Sequence, residues 1–129
     1  KNQQKAFWWW RVASEHGHPQ AQYNLGGMYY NGEGVPKDYK LAAKWFRRCA
    51  EQGVAGAQFL LAGRYLFGEG VPKDYVLAYK WLYLSAAQGF KEAAEARDKL
   101  DKVMTPSQIN KAEKLAREFK PGNEIGHRF

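Results

Sequence analysis

Gly32-Glu33-Gly34-Val35-Pro36-Lys37-Asp38-Tyr39 returns letter for letter as Gly68-Glu69-Gly70-Val71-Pro72-Lys73-Asp74-Tyr75, at an offset of 68 − 32 = 36 residues. The same interval links Ala6, Ala42 and Ala78, then Trp9, Trp45 and Trp81, then Gly17, Gly53 and Gly89. Ala21, Ala57 and Ala93 follow it too, while Leu25/Leu61 and Tyr29/Tyr65 recur once. Self-similarity at a fixed interval of a few tens of residues is the signature of a solenoid, in which each unit buries its apolar face only against its neighbours.

Within each period the apolar residues keep helical spacing. Ala6, Trp9, Trp10 and Ala13 share one face of a first helix, and Ala21, Leu25, Met28 and Tyr29 one face of a second. Gly17 and Gly53 suit the left-handed residue that closes a helix. Pro19 fits a first turn, where its missing N–H goes unnoticed. The Gly-Glu-Gly-Val-Pro stretch stops the second helix, because proline forces its predecessor into extended backbone. Asp38 and Asp74 are then predicted N-caps, each carboxylate accepting from orphan N–H groups of the next helix.

The third copy decays. Arg97 and Asp101 stand where Leu25/Leu61 and Tyr29/Tyr65 stood, so its second helix is expected to turn one face to water. Thr105-Pro106-Ser107-Gln108 reads as a capping box opening a last helix, the polar-faced end cap that solenoids require. The expected fold is all-α: about three helix-pair repeats (about 1–36, 37–72 and 73–104), a capping helix at about 105–120, and a loose tail at 121–129. The recurring alanines mark close helix contacts, and the recurring Trp is expected to fill core beside them. If Trp45 is buried, truncation to Ala costs roughly 3–5 kcal/mol.

This pattern (Ala42, Trp45, Ala50-Glu51-Gln52-Gly53, Ala57-Gln58, Leu61, Tyr65, then Gly68 to Asp74) resembles the Sel-one-like repeat, a tetratricopeptide-like helix pair. The resemblance covers about residues 1–104, and the last helix is similar to the C-terminal cap of bacterial members. It implies a scaffold or adaptor for protein complexes, with the first helix of each pair lining a concave face. It also tilts the expected location towards the bacterial envelope or outside the cell. The matched residues themselves are structural, and fold alone does not assign function.

No enzyme signature is found. His16 and His18 lack the further ligands of a metal site. Cys49 has Ala13 and Ser85 as register partners, which marks a small packing slot and not an activated nucleophile. Gly32-x-Gly34 and Gly68-x-Gly70 lack the Gly-Lys-Ser/Thr ending of a phosphate loop. Glu33 and Glu69 recur with their loop and are expected to be solvated. Neither catalysis nor a metal or other cofactor is expected. The apolar runs fall short of the roughly 20 residues of a membrane helix.

What remains is surface. The net charge of +7 favours acidic partners. Lys40, Lys44 and Arg47 share a helix face at i, i+4 and i+7. Trp8 and Arg11 hold the corresponding positions one repeat earlier, and Lys80 and Tyr83 one later. These seven residues form the candidate site: a basic, aromatic-lined groove for an acidic protein segment, with RNA or other nucleic acid as the alternative ligand on the same face. The chain starts at Lys1, near the start of a repeat, and reads as a fragment. Phe7, Trp8 and Trp10 are therefore expected to lie bare and to invite self-association.

Overall fold

The structure, a computed structural model, describes residues 2–122, with side chains from Lys5 onward. Seven helices follow one another: α1 Asn2–Glu15, α2 Pro19–Asn31, α3 Tyr39–Glu51, α4 Ala55–Phe67, α5 Tyr75–Ala87, α6 Lys91–Asp101 and α7 Pro106–Glu118. No strand occurs among the described residues. Consecutive helices from α1 to α6 pack side by side, and α7 lies against α5.

Local chemistry sets the boundaries. The carboxylates of Asp38 and Asp74 accept from the Leu41 and Leu77 amides at 3.1 and 3.0 Å. Thr105 and Gln108 cap each other's main-chain N–H groups at 3.2 and 2.9 Å, as the capping box predicts. Gly32 and Gly68 end α2 and α4 in left-handed backbone. Gly70 has a further duty. A Cβ built there would stand 2.1 Å from the Tyr39 carbonyl oxygen, so the loop before α5 lies directly on the start of α3.

The core runs through the stack. Leu25, Leu61, Ala42, Ala57, Ala78 and Ala93 are completely buried. Phe46 occupies the space that a Cβ on Gly26 would need, whereas the same register positions one repeat on hold Ala62 and Leu82, both buried. Polar groups repeat as faithfully. The buried Gln22 amide donates to the Ser14 carbonyl and Gln58 to that of Ala50, at 3.1 and 3.2 Å. Gln52 then donates to Gln22, and Gln88 to Gln58, at 2.7 and 3.0 Å. These side chains satisfy helix-end carbonyls that would otherwise be orphaned inside the stack. The Cys49 thiol donates to the Pro19 carbonyl at 3.2 Å, and its register partner Ser85 donates to that of Ala55 at 2.8 Å. Cys49 thus fills a small buried slot that recurs.

Three expectations differ from the structure. Trp9 is not a core residue: it is 65% exposed, against 5% and 4% for Trp45 and Trp81. Trp45 is enclosed beside Leu25 and Tyr29 of α2, and Trp81 lies under Phe119, but no described helix stands on the corresponding side of α1. Glu69 is not solvated. It pairs with the buried Arg64 at 3.1 Å and accepts from the Tyr30 hydroxyl at 3.3 Å, while the guanidinium lies 4.2 Å from the Tyr30 ring centre. Repeat one has Met28 at the register position of Arg64, so Glu33 lacks the arginine that draws Glu69 in. The tail is not loose throughout: Gly122 donates to the Glu51 carbonyl at 2.8 Å, and Pro121 packs on Gly53. Residues 123–129 of that tail lie outside the described residues.

As expected, α6 turns one face to water. In place of the repeated tyrosine, its Asp101 accepts from the Tyr79 hydroxyl. Burial, followed by that hydrogen bond, pushes the Tyr79 phenol well above its ordinary range.

Candidate partner-binding surface

The first helices of the pairs, α1, α3 and α5, carry the seven candidate residues. Trp8, Arg11, Lys40, Lys44 and Arg47 are exposed. Lys80 and Tyr83 are half-buried. The structure brings Arg11 and Lys44 to one crevice between α1 and α3, with a volume of about 220 Å³. Glu15, Leu25, Tyr29, Leu41 and Trp45 complete its lining. Trp8 stands apart, edge-on to Trp9 with ring centres 5.3 Å apart. Lys40 does not line the crevice. Tyr83 lies beside Tyr79, 6.5 Å between ring centres, and packs against the core.

The cations are not bare charges on a smooth face. The Lys44 ammonium lies 5.0 Å from the centre of the Trp45 ring, and the Arg48 guanidinium 4.8 Å. Lys80 stands 4.5 Å from the centre of the Trp81 ring. Such cation–π contacts hold the ammonium stems flat along the tryptophans. Arg11 pairs with Glu15 at 3.6 Å, both side chains being mostly exposed. Arg47 donates to the Tyr65 hydroxyl. Around Lys80, burial lowers the ammonium's proton affinity, Glu51 partly restores it, and Arg47 lowers it again. The face therefore carries one Arg–Glu pair on α1, an Arg47–Tyr65 contact, and Lys–Trp contacts on α3 and α5.

The sequence reading missed Glu15, Glu51, Tyr29, Tyr65 and Trp45 as part of this surface. The signal that could have found them was already present, since each recurs or nearly recurs at 36 residues. Residues read as core turn out to floor the crevice. Of the predicted self-association patch, Phe7 is half-buried edge-on against Tyr29 at 5.9 Å, Trp10 is half-buried, and Trp8 is exposed; Trp9, expected in the core, is exposed beside it.

His16 is a helix-end residue whose Nδ1 lies 2.8 Å from the Val12 carbonyl. Among the described residues no group of three His, Cys, Asp or Glu side chains is placed to hold a metal. No described helix is long and apolar enough to cross a membrane.

Helix pairs stacked in register, joined by Gly-Glu-Gly-Val-Pro loops and closed by a capped end helix, define an α/α solenoid. The Sel1 repeat model matches residues 1–18, 19–54 and 55–90, and the chain belongs to that family. Its repeat boundaries fall between the two helices of the pairs described above, so each full match joins α2 to α3 or α4 to α5. Among solved structures, the chain is similar to c5321, a protective antigen of uropathogenic Escherichia coli strains displaying an SLR fold. Identity is 35% and the TM-score 0.86, over 96% of this chain and 27% of that one. It is also similar to a Sel1 repeat protein from Oxalobacter formigenes, 44% identical with a TM-score of 0.69, over 70% of this chain and 68% of the other. The chain thus spans about a quarter of the length of the Escherichia coli protein. No curated protein matches the chain significantly in sequence. Sel1 repeat proteins act as protein-interaction scaffolds, and the SLR fold is a non-enzymatic interaction fold.

Proposed function

We propose that this chain is a non-catalytic scaffold that holds an acidic segment of a partner protein along the α1–α3–α5 face. The observation that carries this reading is the crevice where Arg11 of α1 and Lys44 of α3 meet over a floor of Trp45, Leu25 and Tyr29. A carboxylate finds guanidinium and ammonium donors there, and the chain beside it finds apolar surface. Lys40 and Arg47 extend the positive charge along α3, and Trp8 offers an exposed ring at the α1 end. Lys80 and Tyr83 continue the row on α5 in a more enclosed setting.

The test is capture of partners from native extract, with and without nuclease. The bait is the wild-type chain, the Lys44→Glu/Arg47→Glu variant, or a control with Lys114→Glu/Arg117→Glu on α7. A nuclease-resistant protein lost only with the α3 variant supports the reading. Equal loss with both variants reduces the effect to net charge. Nuclease-sensitive capture, with affinity falling steeply with salt, assigns the face to nucleic acid instead.

A further inference from the structure

Ala6, Trp9, Trp10 and Ala13 line one shallow hollow on α1, with a volume of about 360 Å³ and no charged side chain in its lining. Each has two register partners. Ala42, Trp45, Phe46 and Cys49 hold the same positions on α3, and Ala78, Trp81, Leu82 and Ser85 hold them on α5. All eight are buried. On α3 the cover is the second helix of the preceding pair. Leu25 and Tyr29 stand beside Trp45, Phe46 fills the gap left by Gly26, and the Cys49 thiol reaches the Pro19 carbonyl. Helix α4 packs on α5 in turn, with Ser85 reaching the Ala55 carbonyl. The open face of α1 is therefore one side of an interface that the molecule makes twice elsewhere.

Two features of that interface specify its other side. The first is size. A Cβ on Gly26 would stand 2.6 Å from the Phe46 ring, whereas the smaller Leu82 is matched by Ala62 at the same register. Trp10 is larger than either, so only glycine leaves room opposite it. The second is charge. Lys44 and Arg48 lie over the Trp45 ring, but their register partners beside Trp9 are Trp8 and Val12. The hollow thus holds no cation for an acidic segment, and it shares no lining residue with the Arg11–Lys44 crevice.

A second copy stacked head to tail does not meet these demands. At the positions of Leu25, Gly26 and Tyr29 its last second helix, α6, carries Arg97, Asp98 and Asp101, whose burial against tryptophan is costly. Helix α1 paired with itself offers no glycine either. The family's full repeats join a second helix to the first helix that follows it, whereas residues 1–18 hold α1 alone. We propose that the α1 face binds the second helix of a further Sel1 repeat. That helix carries Leu-Gly-x-x-Tyr in the register of Leu25, Gly26 and Tyr29, with its glycine opposite Trp10. It is recognised by shape and apolar area, where the crevice reads charge.

The test extends the full chain by a copy of residues 19–36 placed ahead of Lys1, which sets the copied Gly26 opposite Trp10 at the 36-residue spacing of the repeats. Exposure of each indole N–H is read from its line broadening by a soluble paramagnetic agent, with Trp45 as the control for folding. Broadening of Trp9 is expected to fall roughly tenfold, in line with the 65% and 5% exposures of Trp9 and Trp45. Gly26→Leu in the copy should return Trp9 to its level in the unextended chain. Trp10→Leu combined with Gly26→Ala in the copy should protect Trp9 again, because it rebuilds the Ala62/Leu82 pair. A Trp9 that stays exposed in the extended chain overturns the proposal, and so does equal protection by the leucine copy. Protection of Trp9 in the unextended chain as its concentration rises assigns the face to a second copy and overturns the proposal too.

Discussion

Gly26 and Phe46 make the sharpest test of how neighbouring repeats lock together. A Cβ added at Gly26 would stand 2.6 Å from both Cδ1 and Cε1 of Phe46. Unstrained carbon contacts lie at about 3.5–4.0 Å, so the ring would have to retreat by roughly 1 Å. It has little room, being 2% exposed and flanked by the Tyr23 ring at 6.3 Å. Overpacking of this kind costs about 1–3 kcal/mol, against a gain of about 1 kcal/mol for replacing a helical glycine by alanine. Gly26→Ala should therefore destabilise the chain by roughly 1 kcal/mol net. Phe46→Leu alone should also cost roughly 1 kcal/mol, by leaving a space beside the glycine. Together they recreate the Ala62/Leu82 pair of the next repeat, and the double variant should come close to wild type. The coupling energy is then about 1–3 kcal/mol in favour of the double variant. Urea unfolding followed by tryptophan fluorescence and far-ultraviolet circular dichroism gives all four stabilities, provided that m stays constant. Additivity within about 0.5 kcal/mol would refute the complementary-pair argument.

The two tryptophans that share a register but not an environment should separate cleanly in thermal melts. Trp45→Ala costs roughly 3–5 kcal/mol, whereas Trp9→Ala stays within about 0.5 kcal/mol; equal losses would contradict the assigned exposures of 5% and 65%. Gly70→Ala should lose at least about 2 kcal/mol, since it combines left-handed backbone (φ +81°) with a Cβ against the Tyr39 carbonyl. Gly63→Ala, in the middle of α4 with nothing within 4 Å of the new methyl, should gain up to about 1 kcal/mol in the same assay. Tyr79 links stability to alkaline pH. Its folded pKa is raised by burial and by Asp101, so its contribution is whole below the unfolded value of about 10 and is lost as pH climbs from there towards the folded pKa. Tyr79→Phe should flatten the fall in stability above about pH 10, while costing about 1 kcal/mol at neutral pH for the lost hydrogen bond. An unchanged alkaline limb would show that another group governs it.

What could be read without coordinates was whatever is decided within a few residues. Asp38, Asp74 and Thr105 cap helices through bonds three residues away, and Gly32 and Gly68 end helices through their own φ, so identity and spacing sufficed. The 36-residue period fixed the architecture, because a helix pair with one apolar face has nowhere to bury it except on the next pair. The candidate surface was only half legible. Placing Arg11, Lys40, Lys44 and Arg47 on exposed first-helix positions needed only the helical repeat. Tertiary structure alone decided what those side chains meet: the Trp45 ring beneath Lys44, the Tyr65 hydroxyl beside Arg47, and Glu69 drawn in by Arg64 and Tyr30. It also decided that Trp9, identical in register to two buried residues, stands exposed, and that Phe119 returns to cover Trp81. Register specifies the position a residue occupies, but burial depends on whether another element packs against that position. That depends on contacts between helices distant in sequence, which the local pattern does not encode.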